Sequence, residues 1–81
     1  MSWLDDMTTN IAEASGIDVG MLRLTPDETR DLLDIARIAS HTSGERINAP
    51  LLGHVLGIAR ANGASLDELA RVVRDASGEA S

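Results

Sequence analysis

Apolar residues recur three and four positions apart in four stretches of this chain, each bounded by turn residues, and each stretch predicts a helix. In the first, Trp3, Leu4, Met7, Ile11 and Ala14 fall within about 100° of arc. Ser2 is placed to cap it, and Asp5 and Asp6 occupy the first turn, where the helix dipole favours negative charge. Gly16 ends it. Residues 16–24 mix Gly16 and Gly20 with Ile17, Val19, Met21, Leu22 and Leu24 without a clean period, and are expected to form a connector lying partly on the core. Thr25-Pro26-Asp27-Glu28 then combines a capping Thr, a Pro at the first helical position and a Glu three residues after the cap, the strongest helix-start signal in the chain.

The second helix is expected from about Pro26 to His41. It would bury Leu32, Leu33, Ile35, Ala36 and Ala39 and leave Asp27, Arg30, Asp34, Arg37 and His41 in water. Ile38 falls on that wet side, next to Asp31. After the polar turn 42–47, Asn48 and Pro50 open a third helix that stops at Asn62-Gly63. It has two apolar faces: Leu51, Leu52, Val55, Leu56, Ile58 and Ala59 on one side, and Gly53, Gly57 and Ala61 at i, i+4, i+8 on the other. Each interior Gly costs a helix roughly 1 kcal/mol relative to Ala, so the small stripe is expected to seat another helix, from this chain or from a partner. Ile38 is a candidate companion on that face. Ser65-Leu66-Asp67-Glu68 repeats the capping-box spacing and opens a sharply two-faced fourth helix, about Leu66 to Ala76. Arg71, Arg74 and Asp75 belong to its outer face.

No run alternates with period two over a strand's length, so the predicted class is all-α, a small four-helix bundle or an orthogonal helical array. The whole chain, 1–81, reads as one domain, with an ordered core of about 2–76 and a frayed tail at 77–81. A domain of this size buries only a little over ~60% of the surface its unfolded chain exposes, so its stability margin is thin.

Composition narrows function by exclusion. Thirteen acids against seven bases give a net charge of −6, and one aromatic residue offers no stacking platform, so nucleic acid is not an expected partner. There is no cysteine, hence no disulfide or thiolate chemistry. No apolar run approaches the ~20 residues of a membrane span. The first fifteen residues carry Asp5, Asp6 and Glu13 where a secretory leader carries positive charge, so a cytoplasmic location is expected.

Little here supports catalysis. The serines lack a strained elbow with a base and oxyanion donors, and the two histidines lack the spacing of a metal site. No glycine-rich loop follows a strand. The chain is therefore expected not to be an enzyme, and to carry no metal and no cofactor. One polar constellation remains: Arg37, His41 and Arg46 could converge near the second turn and hold an anion such as a nucleotide or pterin phosphate. A scaffold role competes, in which Arg46 donates to the last carbonyls of the second helix and pairs with Asp34 or Glu45. His54, at the edge of the third helix's apolar arc, is expected to be partly buried with one hydrogen bond.

Ala36, Ala39, His41, Arg46, Ala49-Pro50-Leu51 and Leu56-Gly57, with Trp3 before the first acidic turn, carry a family resemblance. The chain resembles a small bacterial helical domain of unknown function that occurs alone or fused to the C-terminus of molybdenum cofactor guanylyltransferase, the enzyme of molybdopterin-guanine dinucleotide biosynthesis. The resemblance covers roughly residues 2–63 and is sharpest from Arg46 to Gly57. The transferase's own glycine-rich nucleotide loop is missing, so the resemblance implies an accessory protein-interaction module, with a protein of that pathway as partner. A small anionic-ligand domain and a structural homo-oligomer are the alternatives.

Overall fold

The computed structural model describes residues 2–78, and the regular structure among them is helical throughout: α1 (Trp3–Ser15), α2 (Val19–Leu22), α3 (Pro26–Ser43), α4 (Asn48–Ala61) and α5 (Leu66–Ala76). The all-α class holds. The connector 16–24 contains a single helical turn, α2, started by the Asp18 carboxylate accepting from the Gly20 N–H at 3.1 Å. Three of the four long helices begin on the expected caps. Ser2 Oγ accepts from Asp5 N, Ser65 Oγ accepts from Glu68 N, and Thr25 with Glu28 forms the complete reciprocal box. At Ser65 only that half of the box is made. α4 differs: Ile47, in helical conformation, precedes it without a side-chain cap, and Asn48 is its first residue.

Helices end where the backbone turns left-handed. Gly16 (φ 74°) and Gly44 (φ 76°) each donate their N–H back into the preceding helix, to Ala12 and Ser40. Ser77 and Gly78 form the turn that closes α5, by bonds to Val73 and Asp75. The rest of the tail expected to fray, 79–81, lies outside the described residues.

The core lies between α3, α4 and α5. Ile35, Leu56, Leu66 and Ala70 form its centre, with Leu32, Leu52, Leu69 and Val73 half-buried around them. Ile38, expected on the wet side, is the most completely enclosed large side chain among the described residues, 1% exposed, whereas Leu33, expected inside, is 67% exposed. The buried arc of α3 is rotated toward α5. Arg74 makes this possible, because its guanidinium reaches back from α5 to neutralise Asp31 and Asp34, the acids that flank Ile38.

α1 packs on α2 and on no other helix among the described residues. The side it presents to α2 carries Ala12, about half a turn away from Trp3 on the helix circumference. The connector therefore lies on α1 rather than on the core. The result is elongated, with a radius of gyration of 13.6 Å against about 12 Å for a compact chain of this length. A folded monomer of 8.6 kDa is expected to expose about 4,700 Å². This chain exposes 5933 Å².

Candidate interaction surface

The apolar arc of α1 turns outward. Trp3 is 73% exposed, and Leu4, Met7 and Ile11 are exposed beside it. This is the face that the sequence pattern assigns to a core, and it has no helix against it. Of these, Leu4 meets neighbours, sharing a groove with Leu22, Leu24 and Thr29 at the start of α3.

A second unpartnered strip runs along α4. Its helix turns Asn48, Leu52, Leu56 and Ala59 toward α3 and α5, which leaves Ile47, Leu51, Val55 and Ile58 exposed on the flank. At its N-terminal end this strip borders an apolar groove of about 390 Å³ between α3, α4 and α5, walled by Ile38, Leu51, Leu52, Val55 and Val73. Val72 on α5 and Met21 on α2 are also exposed. Helix faces left apolar and open in this way are the kind of surface at which proteins dock one another.

The small-residue stripe does not seat a helix of this chain. A Cβ built on Gly53 or Gly57 meets nothing within 4 Å, so no backbone approaches either residue, and Ala61 is exposed beside them. Ile38 belongs to the core and the groove wall, not to this face. Of the two expected occupants of the stripe, a helix of this chain is ruled out and a partner's helix is left open. His54 is exposed rather than partly buried, with no side-chain hydrogen bond among the described residues.

Arg37, His41 and Arg46 are all exposed at the outer C-terminal end of α3 and the turn after it. Arg37 holds the Asp34 carboxylate through Nε and Nη2, at 3.2 and 3.0 Å. None of the three lines a groove described above. Arg46 makes no side-chain hydrogen bond or ion pair among the described residues, so it does not close α3. Ser43 does that work instead, donating its hydroxyl to Ala39 O while Gly44 N–H donates to Ser40 O at 3.0 Å. A nearer donor, on the helix itself, displaced the longer reach of Arg46.

The polar residues that are brought together clamp helices. Arg74 on α5 donates through Nε and Nη2 to Asp34 Oδ2 at 3.1 and 3.0 Å, and through Nη2 to Asp31 Oδ1 at 3.3 Å. Arg60 on α4 donates to Glu28 Oε2 at 2.6 Å, while Glu28 Oε1 accepts the Thr25 N–H. Sequence spacing could not reveal these pairs, which join residues 32 to 43 positions apart. Among the described residues no group of His and acidic residues converges as a metal site, and no helix is long and apolar enough to cross a membrane.

The clamps make a pH prediction. The Thr25 backbone N–H, then Arg60, hold the Glu28 carboxyl below its ordinary value; Arg37, then Arg74, do the same for Asp34. A carboxylate whose folded pKa is depressed adds stability that is complete above its unfolded pKa and is lost as pH falls through the folded one. The unfolded values are 4.5 and 3.8. The contribution of these two groups to the melting temperature should thus hold from neutral pH down to about 5 and shrink steadily below 4.5. Asp34→Asn should flatten that acid limb in a series of thermal melts.

Comparison of the chain with protein-family models, curated proteins and solved structures finds no match.

Proposed function

We propose that this chain is a non-catalytic protein-interaction module that docks through the exposed arc of α1 and the flank of α4. The observation that carries this reading is the outward α1 arc: Trp3, Leu4, Met7 and Ile11 form an amphipathic helix face with no partner in the chain. Helices of this kind bind by laying apolar anchors into a groove, and Trp is the residue type most often dominant in such contacts. Lipid is a poor alternative, because α1 carries Asp5, Asp6 and Glu13 and no base, the reverse of a membrane-surface helix.

The partner we propose is a protein of molybdopterin-guanine dinucleotide synthesis, first of all molybdenum cofactor guanylyltransferase. The support is the resemblance carried by Arg46, Ala49-Pro50-Leu51, Leu56-Gly57 and Trp3 to a domain found fused to that enzyme. Calorimetric titration of the chain with the purified guanylyltransferase of the same source tests it. Saturable binding is expected, weakened about 30-fold or more by Trp3→Ala, as for a central aromatic anchor. Absence of heat and of complex on gel filtration would remove the pathway assignment.

A further inference from the structure

We propose that the two unpartnered strips cover one another between two copies of this chain: α1 of each protomer lies along the α4 flank of the other, with Trp3 entering the groove beside Leu51. This rests on the reading of both strips as docking surfaces and makes a second copy the competitor of the guanylyltransferase for them.

Four features of the chain fit a second copy. Its surface exceeds that of a compact monomer by roughly 1,200 Å², and a stable interface of standard size takes about 800 Å² from each partner. The strips match in length, since Trp3 to Ala14 and Ile47 to Ile58 are twelve residues each, eleven helical steps or about 16 Å. Charge permits the pairing of the two helices: α1 carries three acids and no base, and α4 carries Arg60 and no acid. Finally, each chain holds both halves of the contact, while its own α1 does not pack on its own α4. A reciprocal exchange about a two-fold axis fills both strips and closes, leaving no open end for further assembly.

Trp3 is the chain's single aromatic residue, so its fluorescence reports the groove directly. Sedimentation equilibrium of the full chain over a concentration series should approach twice 8.6 kDa. Trp3 emission should be blue-shifted in the dimer and move red on dilution with the same midpoint. Ile11→Glu on α1 and Leu51→Glu on α4 alter exposed positions and should leave the helical circular dichroism of the monomer intact. Each should raise the dimer dissociation constant about 100-fold or more, because the lost apolar contact occurs twice.

A wild-type chain that stays at 8.6 kDa throughout overturns the proposal, whether its Trp3 emission is red or, through α1 folding onto its own α4, blue. So does a dimer that survives both substitutions. Titration with the guanylyltransferase separates this inference from the functional reading: a monomer that binds the enzyme through Trp3 sinks only the self-pairing, and a dimer indifferent to the enzyme sinks only the pathway.

Discussion

Ile38→Ala will lower the stability of this protein by about 2–5 kcal/mol, the range for truncating a large aliphatic side chain in a packed core. Ile38 is 1% exposed and lies where α3 meets the groove wall formed with α4 and α5, so little of the vacated space can close. A domain of this length holds roughly 4–12 kcal/mol in all, and the loss corresponds to a fall of about 10 °C or more in melting temperature. Leu33→Ala is the control. That side chain is mostly in water, and its removal should change stability by no more than about 0.5 kcal/mol. Chemical denaturation of the two variants decides the matter; equal losses, or a larger loss at Leu33, would mean that α3 is rotated about its axis relative to the arrangement described.

The double substitution Gly53→Ala with Gly57→Ala will stabilise the protein. Both glycines lie inside α4, and a Cβ on either meets open space. Alanine is favoured over glycine in a helix interior by about 0.5–1 kcal/mol at each position. Part of that gain acts through the unfolded chain, which loses freedom when glycine is replaced. Together the two changes should add about 1–2 kcal/mol and raise the melting temperature by roughly 4–15 °C. A fall instead would show that another backbone comes close to this stripe in solution.

Helix boundaries were legible in the sequence because they are made locally. A cap and its acceptor are three residues apart at Ser2, Thr25 and Ser65, and the left-handed glycines at 16 and 44 follow directly on the helices they end. α4 was found by its breakers and its apolar content, but its start has no side-chain cap to fix it. Which face of each helix is buried was less legible. On α3, Asp31 and Asp34 mark a wet side only while nothing neutralises them, and Arg74, 40 residues from Asp34, brings that side inward and Ile38 with it. On α1 the pattern gave a correct amphipathic helix and no neighbour for it, since periodicity specifies that a face is apolar and says nothing of which chain covers it.

The same holds for the candidate surface. Trp3, Leu51, Val55 and Ile58 were all readable as apolar, yet their exposure depends on where α5 lies and on α1 standing apart. The trio Arg37, His41 and Arg46 was grouped by proximity in sequence, and what sequence could not show is that Arg37 is engaged with Asp34 one turn back.

Because α1 and α2 meet the three-helix core only across the groove that Leu4 and Thr8 share with Thr29, the isolated chain is expected to have two free energies of opening rather than one. The three-helix core breaks as a cooperative unit, held by Arg60, Arg74 and the apolar centre. The α1–α2 pair opens on its own, at the low end of the stability scale, as a separate foldon. A two-state treatment of a melting curve would therefore describe the core alone, and slow amide exchange, if α1 shows any, would have to be lent to it from outside the chain.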